Sequence, residues 1–320
     1  MRAAVIGTGW GRVHIAALQR LGVEVAAVCG TELARTEQVA RDCGIALALT
    51  DIDRLRHLGL DLITIAAPTS AHAHLVAHLG PTPLLCEKPA VGVESPVANL
   101  PSPSGPVWVN YAFPFLEVVA QAESVLASMA WQPGDGTASA DHAAVDVVSH
   151  YDLGGLVTAN RSDWQWLTDV ASHPWSWVVS RFGRPVAEVD GWQVDGGGAG
   201  LAYRSTSGVA VSVTALPIPG LAGLRHDLTV RLAGHSVSFG GAFHLGRDWS
   251  FGPVLLDGTA VARGEEEPVA FDADPWFLAN VTAIESVVRA VGGDASRPPP
   301  FTWDQALILD ACVQQAAGTR

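Results

Sequence analysis

The sequence lacks several features that would have placed it in other classes. No apolar stretch reaches the roughly 18 residues that a membrane span needs. The four cysteines, Cys29, Cys43, Cys86 and Cys312, have no paired spacing, so neither a disulfide frame nor a zinc knuckle is indicated, and reduced thiols in a cytoplasmic protein are the simplest reading. Basic charge is in deficit: the formal net charge is −13, which argues against nucleic acid or an anionic membrane as partner. The first seven residues run into a strand and turn without the basic head, apolar run and cleavage site of a signal peptide. Internal repeats and low-complexity segments are also missing. What is present is a 320-residue chain with 48% hydrophobic content, enough for about two domains.

Strand and helix alternate over the first third. Residues 2–6 are a short apolar run ending in glycine and read as a strand; residues 13–18 open a helix with apolar positions at helical spacing. Residues 23–29 are a second strand, and 32–42 a helix stopped by Gly44. A short helix at 51–58 is capped by Asp51; a strand at 61–66 is closed by Pro68; a helix at 72–79 and a strand at 83–86 follow. This alternation predicts an α/β Rossmann domain with a doubly wound parallel sheet. Pro96, Pro101, Pro103 and Pro106 forbid a long helix over 92–106, and residues 107–111 read as the last strand of the unit.

Beyond a helix at about 115–129 the pattern changes. Runs at 137–149, 186–195, 199–206, 208–215, 226–233 and 235–240 are β-rich and separated by glycine, with Gly196-Gly197-Gly198 and Ser207-Gly208 as hairpin turns. These predict an α+β domain with a largely antiparallel open sheet, and helices at about 165–182 and 276–291. The expected division is 1–118 and 119–320, with a last helix at 303–317 packing back on the first domain.

Gly7-Thr8-Gly9-Trp10-Gly11 follows the first strand and opens a helix. Glycines let the backbone approach a pyrophosphate, and a helix amino terminus offers N–H groups and a positive dipole. The usual third glycine would fall at 12, where Arg12 stands; Gly11 comes one place early. The alternative is an ordinary strand-to-helix turn. The tip of the second strand, Cys29-Gly30-Thr31-Glu32, has no acid in the place that holds the ribose of NAD, whereas Thr31 and Arg35 leave room and charge for a 2′-phosphate. NADP is therefore preferred over NAD, although Glu32 can still reach the ribose.

Glu87-Lys88-Pro89 closes the apolar run Leu84-Leu85-Cys86. A lysine at the carboxyl end of a buried strand stands where a doubly wound sheet presents reactive groups, and its ammonium can hold a developing oxyanion and pass a proton. Glu87 can pair with Lys88 or touch the nicotinamide ribose. Asp169 and His173 lie four apart, so one helix face presents both; by spacing alone they are a surface pair worth about 0.3–0.5 kcal/mol. Pro174 implies a kink or a helix start there. His72, His74 and His78 lack a carboxylate or thiol to complete a metal set, so no metal is expected.

The Gly7–Gly11 turn with His14, the run from Ala67-Pro68-Thr69 to His72, Glu87-Lys88-Pro89 and the later Asp169 and His173 resemble the Gfo/Idh/MocA (glucose–fructose oxidoreductase / inositol dehydrogenase) family. The resemblance implies that Lys88, Asp169 and His173 are catalytic. It also implies that Gly7, Thr8, Gly9, Trp10 and Gly11 hold the dinucleotide, and that Pro68, Thr69, His72, Glu87 and Lys88 line its nicotinamide side. It further implies a homo-oligomer, a dimer or tetramer built through the second sheet. The chain departs from the family in its short glycine turn, in its short proline-rich segment after Pro89, and at Ser176, where the family has an acid. Five of eleven tryptophans fall between Trp164 and Trp192; any that face the pocket imply a flatter or more apolar substrate than a free sugar.

The expected activity is hydride transfer to or from a hydroxyl or keto carbon of a sugar, cyclitol or related small molecule, with Lys88 as acid/base. Reduction of a C=N bond in small-molecule biosynthesis is the alternative. A non-catalytic dinucleotide sensor is the third reading, and the lysine, aspartate and histidine argue against it.

Overall fold

The computed structural model describes residues 1–129, 143–152, 162–244, 249–264, 271–294, 296 and 299–318. The part of the strand expected over 137–149 that precedes residue 143 lies outside them. The chain forms two compact units.

The first comprises Met1–Ala112 and Phe277–Asp310. Its strands are β1 (Arg2–Ile6), β2 (Glu24–Cys29), β3 (Leu47–Leu49), β4 (Leu62–Ile65), β5 (Leu84–Glu87) and β6 (Val107–Asn110). They lie in the order β3-β2-β1-β4-β5-β6, and every pairing is parallel. β4 and β5 are buried throughout, which is why they read as unbroken apolar runs rather than alternating ones. β3 has only three residues, too few to show a period. Helices α1 (Gly11–Arg20), α2 (Leu33–Asp42) and α3 (Thr69–His78) are crossovers between strands. The proline-rich stretch before β6 holds one 3₁₀ turn, Val97–Asn99. Asp51 caps the 3₁₀ helix Ile52–His57 by accepting the Asp53 N–H at 2.9 Å.

The core gathers Val5, Ile15, Leu18, Val28, Leu62 and Leu85 with Phe277, Val281, Ile284 and Val287 from the helix Pro275–Val291. Sequence reading groups that helix with the second domain. Its apolar stripe at 277, 281, 284 and 287 is instead buried in the first unit's core, a choice that helical periodicity leaves open. Residues ahead of the last helix, Trp303–Gly318, join the sheet edge: Val109 N–H donates to Phe301 O at 2.7 Å.

The second unit comprises Phe113–Trp276 and Ala311–Arg320. Helix α4 (Glu117–Ser128) precedes β7 (Ala144–Asp152). Then come α5 (Asp163–Trp166), a π turn at Leu167–Ala171 and α6 (Ser172–Phe182). The strands β8 (Asp190–Gln193), β9 (Ala199–Arg204), β10 (Ala210–Pro217), β11 (Gly223–Leu232), β12 (His235–His244), β13 (Trp249–Phe251), β14 (Val254–Leu256) and β15 (Thr259–Ala262) follow. Among the described residues they make a nine-stranded sheet in the order β15-β14-β12-β11-β7-β10-β9-β8, with β13 on β12. Only β7 and β10 pair in parallel; the sheet is mixed and mostly antiparallel. β7 alternates strictly, burying Val145, Val147, Ser149 and Tyr151 on one face. β8 and β9 are joined through Gly196, Gly197 and Gly198 at φ of 90°, 108° and 99°, a succession that side chains resist. Among the described residues no helix is long and apolar enough to cross a membrane.

Candidate active site

The strand order reverses between β1 and β4, and the carboxyl ends of these two strands carry the glycine turn and the turn of Ala66 and Ala67. Gly7 has φ of 119°, and a Cβ there would stand 2.2 Å from Ala66 O, so no other residue fits. Gly9 has nothing within 4 Å of its missing Cβ, which leaves open space for a pyrophosphate beside the amino terminus of α1. A Cβ on Gly11 would press on Val5 Cγ1 at 3.1 Å. Gly11 thus gives the close helix–strand packing usually supplied by the third glycine, and Arg12 is turned aside to Asp42, 2.7 Å away. Trp10 is 45% exposed at the tip of the turn. At the end of β2, a Cβ on Gly30 would collide with Thr36 Oγ1 at 2.4 Å and Thr8 Cγ2 at 2.8 Å, so the glycine lets Thr8 close against the strand tip. Thr31 and Arg35 are exposed just beyond, Arg35 in the first turn of α2. These residues fit a dinucleotide.

Glu87 ends β5 and is turned inward. Its Oε1 meets His14 Nε2 at 2.7 Å and accepts from Asn110 Nδ2 at 2.7 Å; Asn110 Nδ2 also donates to Asn280 Oδ1 at 2.8 Å. His14 is fully buried and its Nδ1 has no hydrogen-bond partner. Burial alone would raise the Glu87 carboxyl, but the His14 hydrogen bond and charge, then Asn110 and Lys88, outweigh it and hold it below its usual range. A negative charge is therefore held next to Lys88 in the chain and within its electrostatic reach.

Lys88 itself is half-buried and leads into a cis peptide bond with Pro89. It is also the only lysine in the chain; every other one of the 19 lysine and arginine residues is arginine. Arginine does not give up its proton in proteins, so Lys88 is the one basic side chain of this kind that can exchange one.

His72 is 1% exposed, with Nδ1 3.0 Å from Pro89 O and Nε2 2.9 Å from Ala67 O. Its ring ties the turn after β4 to the turn after β5. Pro68 caps α3 and is exposed; Thr69 Cγ2 would stand 3.5 Å from a Cβ on Gly92. The residues expected around the nicotinamide thus come from two adjacent turns. His74 and His78 stack at 5.5 Å, and His78 Nε2 meets Asp53 Oδ1 at 2.8 Å.

In the second unit, Ser162 and Gln165 form a capping box that starts α5. The π turn Leu167–Ala171 holds Asp169, half-buried. α6 then begins at Ser172, so Pro174 falls in its first turn, where a missing N–H costs nothing. His173 is 8% exposed, edge-on to Trp276 at 4.8 Å and to His226 at 6.5 Å. Behind it, Ser149 Oγ and His226 Nδ1 are 2.9 Å apart. Trp175 and Trp177 are core residues, and Trp175 Nε1 donates to Tyr203 OH at 3.0 Å. Trp166 stacks on Tyr151 at 4.6 Å. Ser176, fully buried, donates to His173 O at 2.6 Å.

The sequence reading missed Asn110, Asn280 and Asp310. Asn110 ends the last strand of the sheet and pairs in register with Glu87, a placement only the sheet reveals. Asp310 had a visible signal, an acid inside the apolar run 306–313.

The reversed strand order with a glycine cradle at its switch point defines a dinucleotide-binding Rossmann domain. Residues 1–98 match the model of the Gfo/Idh/MocA family, described as an oxidoreductase family with an NAD-binding Rossmann fold. Similar curated proteins include the oxidoreductase cns1 of Cordyceps militaris, 36% identical over 96 residues. Another is the inositol 2-dehydrogenase of an Arthrobacter species, 38% identical over 95 residues. Each alignment covers 28% of this chain, but 12% of the fungal protein and 28% of the bacterial one. A solved probable dehydrogenase from Thermotoga maritima has the same fold: TM-score 0.75, 15% identity, 99% of this chain and 96% of that one.

Proposed function

We propose that the protein is a nicotinamide-dinucleotide-dependent oxidoreductase acting on a hydroxyl or keto carbon of a sugar, cyclitol or related small molecule, with Lys88 as acid/base. The observation that carries this reading is the position of the chain's one lysine: it follows β5, on the sheet edge that also bears the glycine cradle. The dinucleotide, when bound, gives or takes the hydride. Lys88 holds a proton at Nζ and exchanges it with the substrate oxygen, where charge develops. Glu87, the preceding residue, keeps a compensating charge within its electrostatic reach. Asp169 anchors a substrate hydroxyl, and His173 relays the proton. The likeness to inositol 2-dehydrogenase supports a cyclitol or sugar as substrate. Titration with NADH and NADPH, then turnover assays with myo-inositol and a sugar panel, tests the reading; failure of both dinucleotides to bind would refute it.

NADP is the proposed cofactor, because no acid stands at the tip of β2 and Arg35 is exposed in the first turn of the helix that follows it. Arg35→Ala is expected to weaken NADPH about tenfold relative to NADH, the size of one charge-assisted hydrogen bond. Equal weakening of both removes the case for NADP. We also propose a cytoplasmic homo-oligomer built through the second sheet; a monomer mass in sedimentation equilibrium would contradict it.

A further inference from the structure

Asp310 lies in the last helix among Ala306, Leu309 and Val313, and is 1% exposed. A carboxylate so deeply buried is costly unless it is bonded. Its Oδ2 accepts the N–H of Val91 at 2.9 Å, across 219 residues of sequence, the N–H groups of Gly92 and Ala90 also stabilise the carboxylate, and Oδ1 has no hydrogen-bond partner. Successive backbone N–H groups converging on one anion form a nest. Here the nest is the chain segment that leaves Lys88-Pro89, and the anion comes from the protein itself.

We propose that Asp310 is a positioning residue for Lys88: its carboxylate clamps the Ala90–Gly92 backbone and so fixes the turn from which the lysine extends. This rests on the reading of Lys88 as acid/base. His72 also grips this turn, through Pro89 O. Two side chains from distant parts of the chain thus hold the three residues that follow Lys88-Pro89 and the carbonyl just before them.

The clamp is sensitive to protons. Burial pushes the Asp310 carboxyl up to about 7, against the three N–H bonds that lower it. The ionised form gives charge-assisted bonds; a proton on the unpartnered Oδ1 leaves Oδ2 an acceptor but removes that charge, so the clamp is tighter above about pH 7 and weaker below it. The titratable group that feels its charge is Cys86, next in the chain to Glu87. Cys86 is a buried thiol held neutral by burial and by the charges of Glu87 and Asp310. Glu87 stays ionised in this range because its carboxyl lies below the ordinary value.

Because Lys88 is the only lysine, full-length protein made with lysine labelled at Cε with carbon-13 gives a single lysine resonance. Its shift is expected to show an inflection within about one unit of pH 7, besides that of its own ammonium, and Asp310→Asn is expected to lose that inflection. An inflection that persists in Asp310→Asn overturns the proposal, as does its absence from the unsubstituted protein. Should the variant not fold, the amide resonances of Val91 and Gly92 in the unsubstituted protein carry the same test: they are expected to titrate with the carboxyl, and flat shifts overturn the clamp. The readout needs no substrate. A fully active Lys88→Ala would remove the catalytic reading and leave the clamp standing, whereas a silent Asp310 would remove the clamp alone.

Discussion

Lys88→Ala is expected to lower turnover by about 10²–10⁴-fold, the usual contribution of a positioned proton donor or acceptor, while NADH and NADPH still bind. The loss should be severe because the chain has no second lysine to substitute and its arginines hold their protons. Lys88→Arg sharpens the test. It keeps the positive charge beside Glu87 in the chain, but not the exchangeable proton, and turnover should fall in this variant as well. Dinucleotide affinity, read by fluorescence titration, separates the two roles. Unchanged turnover in Lys88→Ala means the acid/base lies elsewhere; lost cofactor binding in both variants means the lysine is a binding group instead.

The second large effect is on stability. Trp175→Ala is expected to cost about 3–5 kcal/mol, because a fully buried indole leaves a cavity that its neighbours only partly fill. The change also removes the donor to Tyr203 OH, adding a buried hydroxyl with one partner fewer. Urea unfolding of the two proteins measures the difference. A loss under about 1 kcal/mol would place the ring in a tolerant, loosely packed site and revive the idea that it faces substrate. As it stands, Trp175 and Trp177 are spent on the core, so any flat-substrate argument from the tryptophans rests on Trp166 and its neighbours.

Much of the first unit was legible. β4 and β5 announce themselves as apolar runs because both faces of a parallel strand are buried, and Gly7 announces a turn because only glycine takes its backbone shape beside Ala66. The doubly wound parallel sheet and the mostly antiparallel second sheet both follow from such local patterns. β13, β14 and β15 were not legible, being three or four residues long, below the length at which alternation can be counted. The placement of the helix Pro275–Val291 was not legible either. An apolar stripe says that a helix buries one face, never against which sheet.

The same division runs through the candidate site. Glu87 and Lys88 could be picked out by their neighbours in the chain, since a charged pair closing an apolar strand is anomalous on its own. What Glu87 does could not: its partners His14, Asn110 and Asn280 lie 73 residues before it, 23 after it and, through Asn110, a further 170 along. Pro174 implied a kink or a helix start near Asp169 and His173, and a helix starting at Ser172 after the π turn gives the proline a first-turn position.

By itself the sequence determined which residues form strands, helices and tight turns, and which ones carry reactive groups, because backbone sterics and the period of burial act over a few residues. Only the tertiary structure decided what those groups bond to. A buried carboxylate such as Asp310 must find donors wherever the fold brings them, and here the fold brings them from residues some 220 positions away, a pairing governed by packing and desolvation rather than by anything local to either segment.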